Sequence, residues 1–344
     1  MKSNIKINLS TPVYIIAEIS ANHNGDISKA LKLIDQCKKI GVNAVKIQTY
    51  EPSDITLNTS NKDFVISKKS PWKKYKNLWS LYSKAQTPFS WQKKLFDHAY
   101  KIGIDIFSSP FSERAVDLLE TLNCPIYKLA SPEINHVPLI ERIAKTQKPI
   151  LISTGMATEI DIRNAINTYK KYSKNKYILL KCNSTYPSPM NDINLNSIHY
   201  MKKKYKTIIG LSDHTIGYEI PLASVAMGAK VIEKHICLNK KNRVDGFFSL
   251  NIKEFKEMID KIRNIELAFG KSKIIATSSK VKGGRSIYFS KNLIKGDKVT
   301  EENIKVVRPS LGLHPKFYKN ILGKVINTNI KKGDRVKLEY FKKK

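Results

Sequence analysis

Residues 207–235 read TIIGLSDHTIGYEIPLASVAMGAKVIEKH, and this stretch decides the fold. A β-type run, Thr207–Leu211, stops at Ser212-Asp213-His214, and an amphipathic segment, Tyr218–Met227, follows. A second β-type run, Lys230–Glu233, then stops at Glu233-Lys234-His235. That is the period of a βα unit, with polar residues collected where each strand ends. The same unit recurs outward from it. Further β-type runs lie at Val13–Ala17, Ala44–Gln48, Asp105–Ser108, Ile126–Leu129, Pro149–Ser153 and Tyr177–Lys181. Helix-like segments between them include Ser28–Ile40, Trp91–Ile102, Ser112–Leu122 and Glu159–Tyr172. About eight such units predict an α/β fold of the (β/α)8 TIM-barrel type over residues 1–270. No GxGxxG follows the first strand, which counts against a dinucleotide-binding sheet.

The pattern changes near Gly270. Residues 271–284 are polar with Gly and Ser and read as a linker. Residues 285–344, with turns at Lys295-Gly296-Asp297 and Lys332-Gly333-Asp334, read as a compact, loop-rich domain. A domain of that size buries a limited core and is expected to dock onto something. Within the barrel, Thr49–Ser90 is long for a connection and carries Trp72, Trp79 and Tyr82. Long connections are functional or disordered, so this one is expected to form a lid or substrate wall, or else a surface excursion held by a small hydrophobic plug.

The 344-residue chain carries a net charge of +32. Such a field would attract nucleic acid or an anionic membrane. The excess is mostly Lys scattered over helix faces in a chain rich in Asn, Ile and Tyr, the usage of an AT-rich genome. No basic stripe interleaved with aromatics appears, so neither nucleic acid nor membrane is an expected partner. Lys342–Lys344 read as a solvated tail. Cys37, Cys124, Cys182 and Cys237 form no CxxC pair, which suits a reduced cytoplasmic protein. No segment approaches transmembrane length.

Catalytic groups of such barrels project from the C-terminal ends of strands. Reading those ends yields Glu18, Asn22 and His23, then Lys46 and Gln48, then Ser108-Ser109-Pro110-Phe111. Lys128, Ser131 and Glu133 follow, then Ser153-Thr154-Gly155, then Asn183, Ser184 and Tyr186, and finally the two stretches ending in His214 and His235. A ring of polar residues at nearly every strand end is hard to explain as packing. His214 and His235 end adjacent strands, and neutral imidazoles so placed suit a Mn²⁺, Mg²⁺ or Co²⁺ ion with positions open to substrate oxygens. Two satisfied structural histidines would read the same way. Lys46 and Lys128, with hydroxyls of Ser109, Ser131, Ser153 and Ser212, would cradle a phosphate and a carboxylate. The competing reading is that these lysines merely snorkel to solvent.

At these residues the chain resembles the sialic acid synthase family nearly end to end. The matching motifs are Glu18-Ile19-Ser20-Ala21-Asn22-His23-Asn24-Gly25, Val45-Lys46-Ile47-Gln48-Thr49, Ser109-Pro110-Phe111 and Tyr127-Lys128-Leu129-Ala130-Ser131. They continue through Ser153-Thr154-Gly155-Met156, Gly210-Leu211-Ser212-Asp213-His214-Thr215 and Ile232-Glu233-Lys234-His235. The tail from Arg308-Pro309 to Gly323-Lys324 resembles that family's C-terminal antifreeze-like (SAF) domain. Ser20-Ala21 in place of a commoner Gly-containing version, Ser184 in place of Asn, and the segments Tyr82–Gln92 and Arg308–Tyr318 look most like the branch that forms pseudaminic acid.

The resemblance implies a transferase. It would condense phosphoenolpyruvate with an N-acetylated amino sugar, here 2,4-diacetamido-2,4,6-trideoxy-altropyranose, and release phosphate by C–O cleavage. N-acetylneuraminate or legionaminate synthesis is the alternative within the family. A pyruvate aldolase and a non-catalytic binding protein are the alternatives outside it. By the same resemblance His214 and His235 would hold the metal, and Lys46, Ser109, Lys128, Ser131, Ser153, Ser184 and Ser212 would bind phosphoenolpyruvate. Glu18, Gln48, Glu133, Tyr186 and Asp245 would serve the sugar and its proton transfers. Asp245 lies in a stretch, Asn239–Phe247, that lacks the Gly-Pro-Asp of many members. Arg308 would reach in from the partner chain of a homodimer with swapped C-terminal domains.

Overall fold

The computed structural model describes Ile5 and residues 7–241, 244–275 and 283–341. Each predicted β-run becomes a strand: β1 (Tyr14–Glu18), β2 (Ala44–Thr49), β3 (Asp105–Pro110), β4 (Tyr127–Leu129), β5 (Ile150–Ser153), β6 (Tyr177–Cys182), β7 (Ile209–Asp213) and β8 (Val231–Cys237). Successive strands pair in parallel, and β1 closes on β8 in the register Tyr14↔Val231 to Glu18↔His235. A closed parallel sheet has no free edge and is covered outside by helices, so its strands are apolar on both faces. β1 and β8 are accordingly buried at every position. A short β9 (Leu250–Asn251) lies along the end of β8.

Helices follow the strands because each connection carries apolar residues at helical spacing between local stop signals. Ile27–Ile40 buries Ala30, Leu33, Ile34, Cys37 and Ile40, starts at the Asp26 cap and stops at Gly41, whose φ of 87° a side chain would resist. Glu159–Tyr172 and Ile252–Ala268 open on reciprocal boxes, Thr158 with Asp161 and Asn251 with Glu254. Phe89–Ile102, Glu113–Thr121, Val137–Lys145, Ser197–Tyr205 and Glu219–Ala226 complete the outer layer.

Six strands run past their expected ends: β1 to Glu18, β2 to Thr49, β3 to Pro110, β6 to Cys182, β7 to Asp213 and β8 to Cys237. The expected ends stopped where polar residues begin, but here polar residues pair inside the fold. Lys234, fully buried, lies 2.5 Å from Asp213 on the neighbouring strand and 2.5 Å from the Thr215 carbonyl oxygen.

The long connection after β2 is ordered as a short helix, Pro52–Ile55, two 3-10 turns and the helix Leu78–Ala85. Leu81 and Ala85 form a small apolar cluster with Ala21 and Val244, with Ile66, Trp72 and Tyr75 packed against it. Trp72 Nε1 donates to the Val244 carbonyl at 2.9 Å. The plug expected of a surface excursion is thus present, and it fastens the segment onto the barrel.

The chain separates into two compact units, Met1–Gly270 and Lys271–Lys344. The second pairs β10 (Ser286–Phe289) antiparallel with β11 (Ile304–Val307) over its own core of Ile287, Phe289, Val299, Ile304, Ile321, Ile326, Ile330, Val336 and Phe341. At Gly312 a Cβ would stand 2.6 Å from the Ile287 carbonyl oxygen, so only glycine fits there. Residues 276–282 of the expected linker, Asn242 and Arg243 in the stretch before Asp245, and the Lys342–Lys344 tail lie outside the described residues. Among the described residues no helix is long and apolar enough to cross a membrane, and the four buried cysteines form no disulfide.

Candidate active site

Strand alternation sends every second residue of β8 into the barrel. Glu233 and His235 face inward, while Lys234 points the other way to meet Asp213. Inward-facing residues at the C-terminal ends surround a cavity of about 230 Å³. It is lined by Lys46, Lys128, Ser109, Ser131, Ser153 and Ser212, and by the rings and apolar side chains of Tyr50, Trp72, Leu81, Tyr82, Tyr186 and Phe248. His214, His235 and Asp245 also line it.

Lys46 is held by acids. Its Nζ lies 2.5 Å from Glu18 Oε2 and 3.3 Å from Glu233 Oε1, and donates to Ser109 Oγ at 3.1 Å. Burial alone would depress its pKa, but the two carboxylates outweigh it and keep the ammonium charged. Burial lifts the Glu18 carboxyl to about 7 against the pull of Lys46. Glu233 moves the other way: despite its burial, Lys46 and Lys128 hold it below the usual range. Lys128 donates to the Leu129 carbonyl at 2.9 Å, and burial lowers its pKa. Two buried ammonium groups facing hydroxyls form an anion cradle. Each would be penalised less with an anion bound.

The hydroxyls are positioned by backbone. Ser131 Oγ accepts from Gly155 N at 3.0 Å, and Ser212 Oγ donates to Glu233 at 3.2 Å. A Cβ on Gly155 would stand 2.5 Å from Ser184 Oγ and 3.0 Å from Ser131 Oγ, so the loop after β5 must be glycine for these serines to converge. Ser153 Oγ and Ser184 Oγ are buried without a hydrogen-bond partner.

His214 and His235 lie with ring centroids 5.3 Å apart. The Asn183 carbonyl accepts from His214 Nδ1 at 2.7 Å, which fixes the tautomer and turns a free Nε2 lone pair outward. His235 Nδ1 is buried without a hydrogen-bond partner, 4.0 Å from Asp245 Oδ2, and burial drives its pKa well down, favouring the neutral ring. Against its burial, Cys182 and the Asn183 carbonyl raise the His214 pKa, so a divalent ion held by the two imidazoles, one with an orphaned nitrogen, would displace a proton from His214. Among the described residues no set of three His, Cys, Asp or Glu side chains could hold one, so its other positions fall to water or substrate oxygen.

Asp245 accepts from Ser20 Oγ at 2.5 Å, and Ser20 N donates to Glu18 at 2.8 Å. Ser20 has φ 44°, in the left-handed region that favours glycine. That explains the Gly-containing version of this motif, and the two hydrogen bonds hold a serine in its place.

Not every expected residue lies on the cavity wall. Glu18 sits beneath it, tied to Lys46. Glu133 is beside the cavity with Oε2 unpartnered, and burial raises its carboxyl to about 7. Ser184 lies behind Gly155. Arg308 is exposed on the second compact unit. Gln48 and Tyr186 do line the cavity, and the Tyr186 ring stands 4.3 Å from that of His214. Phe248 is buried against both histidines, whereas its neighbour Phe247 is partly exposed and packs on Trp72. Of these two phenylalanines, Phe248 lines the cavity. Asp213, next to His214, is not on the cavity wall and neutralises Lys234. Tyr50 and Cys182 also line the cavity and were not foreseen. Tyr50 follows β2 directly, and its place among the strand ends was the available signal.

Comparison with known proteins adds independent findings. The NeuB family profile matches residues 33–274 and the SAF domain profile residues 284–339. The chain is 44% identical to a pseudaminic acid synthase of Campylobacter jejuni, over 96% of this chain and 97% of that one. It is 36% identical to an N,N'-diacetyllegionaminic acid synthase of the same species, over 94% and 98%. Among solved structures, an N-acetylneuraminic acid synthetase from Leptospira borgpetersenii superposes with a TM-score of 0.71 at 32% identity, covering 80% of this chain and 92% of that one.

Proposed function

The chain belongs to the NeuB family, and from that premise we propose that it joins phosphoenolpyruvate to 2,4-diacetamido-2,4,6-trideoxy-altropyranose, giving pseudaminic acid and phosphate. The higher identity to a pseudaminic acid synthase than to a legionaminic one supports the choice of sugar. The observation that carries the chemistry is the mixed lining of one cavity: buried ammonium groups and hydroxyls, aromatic rings, and the two histidines.

Lys46 and Lys128 hold the phosphate and carboxylate of phosphoenolpyruvate, with Ser109, Ser131, Ser153, Ser184 and Ser212 donating to their oxygens. Its C3 attacks the aldehyde carbon of the open-chain sugar, forming the new C–C bond and leaving an oxocarbenium at C2. Water adds to C2 while Glu133, poised near neutral pH, takes its proton. The tetrahedral intermediate then breaks its C–O bond and expels phosphate. His214 and His235 would hold a Mn²⁺, Mg²⁺ or Co²⁺ ion, which supplies Lewis-acid polarisation of the sugar carbonyl when bound. Glu18 acts through Lys46, keeping the ammonium charged and aimed. Gln48, Tyr186 and Asp245 serve the sugar, and Arg308 reaches it from the partner chain of a homodimer. Holding both reactants at attack distance contributes much of the acceleration. Four cysteines outside any disulfide suit a reducing cytoplasm.

The test is to offer purified protein Mn²⁺, phosphoenolpyruvate and each candidate sugar, recording phosphate release and product mass. The diacetamido sugar should have the highest kcat/KM. A comparable value for N-acetylmannosamine would overturn the sugar and leave the reaction standing. Product from pyruvate without phosphate release would overturn the reaction itself.

A further inference from the structure

Tyr50 and Tyr82 lie in the wall of the cavity, and their rings meet edge to face with centroids 6.0 Å apart. Tyr50 is 2% exposed and packs edge-on against Phe111 with centroids 5.1 Å apart, so its ring is fixed. Neither hydroxyl is hydrogen-bonded to another described residue. Both phenols line the cavity, so their O–H donors are available to a ligand that supplies an acceptor.

The surroundings define that acceptor. Burial and the nearby Asp245 and Glu18 raise the Tyr50 pKa, and burial and Glu133 raise that of Tyr82, so both phenols stay protonated and donate. Those same carboxylates disfavour an anion beside the phenols, which points to a neutral acceptor. Ile55, Leu81 and Ala85 line the same cavity, and such side chains suit a methyl group and offer nothing to a hydroxyl. A carbonyl oxygen with a methyl attached answers both requirements.

We propose that Tyr50 and Tyr82 are specificity-determining residues that donate to the carbonyl oxygen of an acetamido group of the sugar, whose methyl packs on Ile55, Leu81 and Ala85. This rests on the reading of the enzyme as a synthase that takes an N-acetylated sugar. It goes beyond that reading by assigning recognition of the amide to residues on the segment after β2.

The test crosses two deletions. Tyr50→Phe and Tyr82→Phe each remove one oxygen. The sugar is supplied intact and with one acetamido replaced by a hydroxyl, at each position in turn. On the intact sugar each variant should lose roughly 5–30-fold in kcat/KM, carried mostly by the KM for sugar, with the KM for phosphoenolpyruvate within about two-fold. With the correct acetamido removed, the same variant's penalty should shrink by at least about five-fold, the signature of a direct contact. Penalties equal on every sugar, confined to kcat, or absent would overturn the proposal. Thermal unfolding of each variant identifies a loss due to misfolding, and Leu81→Asn supplies a second probe that should impair the intact sugar most. If the wild-type protein releases phosphate with a different N-acetylated sugar, the same cross on that sugar decides the matter. Phosphate release with no sugar overturns both readings, whereas a failed cross on an active enzyme overturns only this one.

Discussion

The ammonium of Lys46 and the carboxylate of Glu18 meet at 2.5 Å beneath the cavity, with Glu233 on the far side of the same ammonium. Three buried charges thus share one layer of the barrel, and the cation is their common partner. Lys46→Met leaves two carboxylates uncompensated and should destabilise the fold by about 3–5 kcal/mol. Adding Glu18→Gln should restore part of that stability without restoring turnover. Chemical denaturation of the single and double variants checks this.

Glu133 should set the acid limb of the activity profile. Its carboxyl sits near 7, so kcat falls as pH drops through that value and the base becomes protonated. Glu133→Gln should lower kcat about 10²–10⁴-fold and abolish that limb. Stability moves oppositely. A folded pKa above the unfolded value means that the folded state holds the proton more tightly, so stability is lost as pH rises from about 4.5 to about 7. Glu133→Gln should therefore raise Tm at pH 8 more than at pH 4, read by scanning calorimetry.

Chelation should abolish turnover, and Mn²⁺, Mg²⁺ or Co²⁺ should restore it. His214→Ala and His235→Ala should each lose turnover, keep their fold and weaken Mn²⁺ binding measured directly by calorimetry. A variant that binds Mn²⁺ as the wild type does would remove that histidine from the metal assignment.

Ser20 offers a clean separation of strain from bonding. Ser20→Ala keeps φ positive with a Cβ and loses the bond to Asp245, so it should be destabilised by about 1–2 kcal/mol. Ser20→Gly loses the same bond but relieves the backbone, and should come out about 1 kcal/mol more stable than the alanine variant. Both should raise the KM for sugar by freeing Asp245, measured by steady-state kinetics.

Removing residues 285–344 should cripple use of the sugar while residues 1–270 still fold. Inactive His235→Ala and Arg308→Ala chains, once mixed and exchanged, should recover activity in hybrid dimers because one site receives both intact parts. No recovery after demonstrated exchange would mean that each small domain serves its own barrel.

The barrel was legible because βα periodicity is a property of local residue order, and its strands began within two residues of their expected starts. Their ends were less so. Ser212-Asp213-His214 and Glu233-Lys234-His235 have the composition of loops, and only closure of the sheet shows that Asp213 and Lys234 neutralise one another across two strands. Alternation alone could have separated Glu233 from Lys234. The aromatic wall was harder to read. Nothing in the order of residues 49–90 tells that Trp72 reaches the Val244 carbonyl, because that contact spans 172 positions. Glu18 reads as a free carboxylate until the register of β1 against β2 sets it beside Lys46.

The lysines and serines of the cavity come from strands scattered around the ring, so altering them means disturbing the closure that holds the barrel together. Tyr50, Trp72, Leu81 and Tyr82 come from a single excursion between two consecutive strands, fastened by one indole and a few apolar side chains. On the proposed reading of Tyr50 and Tyr82, reaction and sugar preference are separately heritable. Lineages can lengthen, shorten or exchange that one excursion and acquire a new sugar while the condensation machinery passes down intact. A chimera carrying residues 51–88 of a relative with another preference is the shortest engineering route to a different product.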